Sequence, residues 1–151
     1  MATCEDISER YLAAIFDELQ KAGVDLHGMI LKPSMILPGK DSGEKASCEE
    51  VAEATLRVLK KTVPVSVPGI VFLSGGQSEE EATANLNAIN KLGGPWTLTF
   101  SYGRALQDSA LKTWAGKAEN ISAAQAKLLH RSKMNSLASM GKYDASLEAN
   151  T

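Results

Sequence analysis

"GIVFLSGGQSEEEATANLNAINKL", residues 69–92, reads as a strand, a glycine turn and a helix in immediate succession. Residues 69–73 are continuous in apolar character, the pattern of a strand covered on both faces. Gly75 and Gly76 interrupt it, and Ser78 with Glu81 then form a capping box opening a helix whose buried positions include Ala82, Leu86 and Ile89. A strand that passes straight into a helix is half of a βαβ unit, so the flanking sequence should supply parallel neighbours.

It does so on both sides. Upstream, residues 28–32 form a short apolar strand, closed by Pro33, Pro38 and Gly39. Ser47 and Glu50 make a second capping box, and Val51, Ala54, Val58 and Leu59 give the apolar face of a helix that stops before Pro64. Before the first strand, Thr3 and Asp6 resemble a capping box, with Ile7, Tyr11, Leu12, Ile15 and Leu19 at helical spacing up to Gly23. Downstream of Gly93, Gly94 and Pro95, "WTLTFSY" at 96–102 alternates as a strand, and Leu106, Ala110, Leu111 and Trp114 mark a further helix. A last helix is expected from Ser122, boxed with Gln125, to near Gly141. Residues 1–143 thus read as one α/β unit of parallel strands with crossover helices, and 144–151 as a mobile polar tail.

Composition narrows the partners. The 151 residues are 44% hydrophobic, 23% charged and 5% aromatic, as expected of a folded, water-soluble domain. A net charge of −2 gives no footprint for nucleic acid or an acidic membrane surface, and Arg57, Lys60 and Lys61 sit at the spacing of a solvated helix face. Cys4 and Cys48 form no C-x-x-C, and His27 and His130 lack carboxylates at ligand spacing, so neither zinc nor a disulfide framework is supported. The N-terminus shows no signal or transit pattern and no apolar run approaches ~20 residues, so the chain is expected to be intracellular with reduced thiols.

Each strand ends on a polar group: Lys32 after the first, Ser74 after the second, Ser101 and Arg104 after the third. In parallel α/β sheets and barrels the C-terminal strand ends share one rim, so these groups should converge. A lysine desolvated at a strand end becomes a neutral amine able to attack a carbonyl carbon, although a lone strand-end lysine more often snorkels into solvent or pairs with a carboxylate. "SGGQSEEE" combines glycines that let backbone amides approach a ligand with a helix start that favours an anion, although three acids already complement that dipole and a plain turn explains a lone Gly-Gly. Arg104, suited to bidentate phosphate recognition, strengthens the combination. Together these groups point to a substrate with a carbonyl near a phosphate.

"LHGMILKPSM", "VPGIVFLSGGQSEEEATANLNAINK" and "WTLTFSYGRALQDSALKTWAGKAEN" resemble, in order and spacing, the C-terminal part of class I fructose-bisphosphate aldolase. The resemblance covers the chain to about Tyr143. It implies a (β/α)₈ TIM barrel of which this chain supplies the last three of eight strands. It also implies a metal-independent, cofactor-free lyase that interconverts fructose 1,6-bisphosphate with dihydroxyacetone phosphate and glyceraldehyde 3-phosphate. Lys32 matches the family's Schiff-base lysine. Ser74, Gly75 and Gly76 match the loop holding the ketose-side phosphate, and Ser101, Gly103 and Arg104 match the loop completing that site. The protonated imine withdraws electrons, so carbon–carbon cleavage leaves an enamine instead of a free carbanion.

Three departures accompany the match. His27-Gly28 stands where the family usually has Glu-Gly, and the chain ends Glu-Ala-Asn-Thr where the family ends in a proton-transferring tyrosine. The family's glutamate acid/base, second lysine and orienting aspartate lie on strands this chain does not contain, whereas a closed barrel needs roughly 250 residues. The resemblance further implies a sugar phosphate as small-molecule partner, a homotetramer, and a cytoplasmic or plastid setting. The alternative is a non-catalytic remnant that binds sugar phosphates or inserts into aldolase oligomers. A flavodoxin-like sheet would need more strands and different strand-end chemistry.

Overall fold

In the computed structural model, which describes residues 1–149, the central strand of a three-stranded sheet is β2, Gly69–Phe72. β1 is Ile30–Leu31 and β3 is Thr97–Phe100, and the strands lie in chain order, all parallel. Ile30 pairs with Gly69 and Leu31 with Ile70; residues 69–72 pair in turn with 97–100. Parallel neighbours require crossover connections, here carried by α2, Cys48–Thr62, and α3, Glu79–Leu92. α1, Ala2–Lys21, precedes the sheet; α4, Arg104–Trp114, and α5, Ile121–Ser139, follow it.

The core lies between one face of the sheet and the crossover helices. Leu31, Ile70, Phe72 and Leu98 bury that face, and Val51, Ala54, Val58 and Leu59 of α2 with Ala82, Leu86 and Ile89 of α3 cover it as the periodicity predicts. Tyr102 adds a cross-tie by donating its hydroxyl to the Ala82 carbonyl at 2.9 Å. The opposite face behaves differently. Ile30 is 63% exposed, and Lys32 and Thr97 are also open to solvent.

Both capping boxes on the crossover helices form. Ser47 and Glu50 exchange side-chain and backbone bonds at the start of α2, and Ser78 and Glu81 do the same for α3. The other two do not. Met1 is the N-cap of α1, which leaves Thr3 with helical backbone inside the first turn and no side-chain cap. α5 begins at Ile121 with Asn120 at its N-cap, so Ser122 is likewise already inside the helix.

Two apolar stripes are also placed differently from expectation. α1 buries Ser8, Leu12 and Phe16, whereas Ile7, Tyr11 and Ile15 are exposed. The seam with α2 sets that phase: Glu5 meets Arg57 at 2.5 Å and Glu9 meets Lys61, so the helix turns its 8–12–16 row inward. In α4 only Ala105 is buried, with Leu106 partly packed on the core, while Leu111 and Trp114 are exposed. These exposed rows belong to the helices that precede β1 and follow β3, the strands at the sheet's two open edges.

The stretch expected to be a polar tail is structured as far as it is described. Tyr143 is buried and donates to Glu148, which lies in a short 3₁₀ turn over Ala145–Ala149 and also accepts from Arg131. Asn150 and Thr151, the end of that expected tail, lie outside the described residues.

Candidate active site

Parallel pairing brings the three strand ends to one rim. Past the last paired residues, the Leu73 amide donates to the Pro33 carbonyl at 3.1 Å and the Ser101 amide to the Phe72 carbonyl at 2.9 Å. The segments following Lys32, Ser74 and Ser101 therefore leave the sheet side by side.

Lys32 follows β1 directly and is two residues from Ile30, so it shares that residue's open face. It is exposed, which corrects the expectation of an amine desolvated at the end of a buried strand and agrees with the alternative of a lysine reaching into solvent. The reason lies in the strand's alternation. Leu31 and Pro33 are buried in the core, whereas Ile30 and Lys32, on the other side, are left exposed by the described elements.

The two loops expected to hold an anion differ at their helix ends. The α3 start is closed: Ser78 caps it, and Glu79, Glu80 and Glu81 occupy its first turn. The α4 start is open, with Gly103 at the N-cap, no side-chain cap and no acid in the first turn. Arg104 is its first residue and is exposed. A helix start without cap or acid leaves amides and positive dipole free for an anion, so α4, not α3, offers that end.

The Ser74–Gly76 turn still contributes backbone. Gly75 and Gly76 have φ of +61° and +84°, the left-handed region that suits glycine. Their amides and those of Gly103 and Arg104 donate to no acceptor among the described residues, and the Ser74 and Ser101 hydroxyls are likewise unengaged there. Gly76 and Arg104 line one cleft of about 460 Å³. Of the three acids lining that cleft, Glu79 is occupied by the amide and hydroxyl of Ser109 and Asp108 by Lys112, while Glu80 makes no hydrogen bond or ion pair among the described residues. Lys32, Ser74, Ser101 and Gly103 are not among the residues lining it. Two loops of the expected site thus share a cavity, and the lysine stands on the open sheet face beside them.

His27, the departure before β1, is exposed in a 3₁₀ turn over Leu26–Gly28, its ring Nδ1 at 3.0 Å from Asp25. Among the described residues no cluster of three or more His, Cys, Asp or Glu could hold a metal, and no helix is long and apolar enough to cross a membrane.

Sequence reasoning passed over Gln77 and Asn85. Gln77 spans the Ser74 turn, donating from Nε2 to the Ser74 carbonyl at 2.9 Å, and Asn85 Nδ2 donates to Gln77 Oε1 at 2.7 Å. The available signal was an asparagine close to the Ala82–Leu86–Ile89 face, where a polar side chain needs a partner.

Comparison with known proteins accounts for this architecture. The family model "Fructose-bisphosphate aldolase class-I" matches residues 1–151. Cytosolic fructose-bisphosphate aldolase 4 of Arabidopsis thaliana is 57% identical over 142 residues, 93% of this chain and 36% of the relative. Fructose-bisphosphate aldolase 2 of Caenorhabditis elegans is 57% identical over 145 residues, 95% of this chain and 40% of its own length. Fructose-bisphosphate aldolase from Plasmodium falciparum, solved in complex with TRAP and a small molecule inhibitor, superposes with a TM-score of 0.93 at 51% identity, covering 95% of this chain and 42% of that one. The chain therefore spans about two fifths of the length of these relatives, and its three parallel strands and helices correspond to part of a (β/α)₈ barrel. On family match, identity and superposition alike, the chain belongs to the class I fructose-bisphosphate aldolases.

Proposed function

We propose that this chain carries the imine-forming and phosphate-binding portion of a fructose 1,6-bisphosphate aldolase site. The Lys32 amine adds to the ketose carbonyl carbon and water leaves, giving an imine whose protonated form accepts the electrons of the breaking C3–C4 bond. Cleavage releases glyceraldehyde 3-phosphate and leaves the enamine of dihydroxyacetone phosphate, which is protonated at carbon and hydrolysed from Lys32. The ketose-side phosphate sits against the Gly75 and Gly76 amides, the open start of α4 and the Arg104 guanidinium, with the Ser74 and Ser101 hydroxyls beside it.

The observation that carries the reading is the contrast between the two helix starts. A capped, acidic α3 beside an uncapped, basic α4 makes the α4 start the place for an anion on the rim, the same rim on which β1 ends in Lys32. Proton transfer at the C4 hydroxyl and at the enamine carbon is assigned to groups outside the chain. The cytoplasm is the compartment we assign, after the cytosolic plant relative, and other copies of the family fold are the protein partners that the open sheet edges favour.

Borohydride trapping with dihydroxyacetone phosphate, followed by peptide mapping, tests the chemistry. An adduct on the Lys32 peptide, absent in Lys32→Ala, is expected; no adduct at saturating ligand overturns the imine assignment. A second reading, a sugar-phosphate-binding remnant without turnover, draws on the exposure of Lys32. A coupled cleavage assay separates the two, because equal rates for the chain and Lys32→Ala leave binding alone.

A further inference from the structure

We infer that Gln77 and Asn85 act as a positioning pair that sets the Gly75–Gly76 amides for phosphate. The inference rests on reading the Ser74–Gly76 turn as part of the phosphate site. That turn has little packing of its own. A Cβ on Gly76 would meet nothing within 4 Å and one on Gly75 only the ends of the Leu73 and Leu37 side chains, and Gly76 lines both the cleft of about 460 Å³ and another of about 750 Å³. Its shape must therefore come from bonds at its ends.

Those bonds converge on one carbonyl. Ser74 O accepts from the Gln77 backbone amide at 3.1 Å and from Gln77 Nε2 at 2.9 Å. The same Nε2 lies 3.7 Å from Sδ of Met35, a buried residue three positions after Lys32, so Gln77 bridges the turn and the segment leaving β1. A carbonyl only accepts, so the Ser74 oxygen fixes which end of the Gln77 amide faces it. Gln77 Oε1 is then turned away and needs a donor, which Asn85 supplies at 2.7 Å. Asn85 is itself 7% exposed on α3, a helix held in the core by Ala82, Leu86 and Ile89, so the chain of bonds runs from rigid helix to open turn. Gln77 also lines the cleft of about 460 Å³, but its amide is committed to the Ser74 carbonyl and to Asn85, so the role we assign it is positioning.

The 151-residue chain, isotopically labelled, is titrated with inorganic phosphate while the amides of Gly75, Gly76 and Arg104 are followed by NMR. Gln77→Met removes the donor facing Ser74 O, and Asn85→Leu removes the donor facing Gln77 Oε1. Each substitution keeps the approximate size of the side chain and adds no charge. Each is expected to weaken phosphate binding about tenfold, in line with one misplaced hydrogen bond near a charged ligand, and the double variant no further than the weaker single one, because the two residues act as a unit. Asn90→Ala, on the same helix but bonded to the Leu86 carbonyl, is expected to bind as the parent does.

A merely structural role would not separate two carbonyl substrates. Borohydride trapping of Lys32 by dihydroxyacetone, which lacks phosphate, should be unchanged in both variants, while trapping by dihydroxyacetone phosphate falls. Variants that bind phosphate within twofold of the parent overturn the pair, as do variants that lose both trapping reactions equally. A parent chain whose Gly75, Gly76 and Arg104 amides ignore phosphate overturns the site reading, and the inference with it.

Discussion

Among the described residues, Arg131 donates to Glu148 at 2.5 Å and the Tyr143 hydroxyl at 2.9 Å, and His130 Nε2 lies at 2.9 Å from it. Burial pushes its carboxyl upward, but the bonds from Arg131, His130 and Tyr143 outweigh this and leave it below its ordinary value. A carboxyl depressed in the folded state stabilises the protein above its unfolded pKa and loses that contribution as pH falls through the folded one. Urea midpoints of the parent chain should therefore drop more steeply between about pH 5 and about pH 3 than those of Glu148→Gln. Parallel curves would show that the carboxylate contributes nothing. Burial, and then the bond to Glu148, push the Tyr143 hydroxyl up to about 12, so it remains a donor throughout that range. None of this cluster was legible in advance. Glu148 stands in "ASLEANT", which has the composition of a solvated tail, and Arg131 is 17 residues away across the end of α5. Lys32 was legible as a strand-end lysine but not in its exposure, because the face a strand leaves open depends on what else is present to cover it.

The helices differ in how much of their placement is local. Capping boxes on α2 and α3 follow from residues within one turn of each other, and both form as the sequence predicts. Ser47→Ala should cost about 1 kcal/mol, and Ser122→Ala less than about 0.5 kcal/mol, since Ser122 caps nothing; thermal or urea denaturation of the two variants measures both. The helical period was equally legible in α1 and α4, but the phase was not. Salt bridges from α1 to α2 and the packing of α4 beside α5 rotate those stripes, and neither partner can be read from the stripe itself. At the α4 start, a Cβ on Gly103 would meet nothing within 4 Å and its φ of −90° lies outside the left-handed region. Gly103→Asp thus has room for its side chain and places a negative charge where the anion is proposed to sit, with circular dichroism checking that the fold is kept. Phosphate titration is expected to show binding weakened by about tenfold or more; unchanged affinity would place the anion elsewhere.

At the scale of the molecule, alternation of strand and helix was enough to give parallel pairing, because crossovers of this length favour it, whereas the chain-order arrangement of the strands followed only from the resemblance to a barrel family. What the sequence could not convey is how much apolar surface remains outside. Ile7 and Ile15 on α1 are 48% and 42% exposed, Ile30 on the β1 edge 63%, and Leu111 on α4 56%. Unpaired parallel edges beside such surface favour association. Sedimentation of the 151-residue chain is expected to show mass rising with concentration, and Ile7→Lys with Ile15→Lys should shift it toward monomer; a concentration-independent monomer would contradict this. Strand order bears on synthesis as well as assembly. β1 cannot pair with β2 until Gly69 has left the ribosome, and β2 cannot pair with β3 before Thr97 has. These two pairings therefore become available in chain order, and each strand is exposed as a template before its next partner exists.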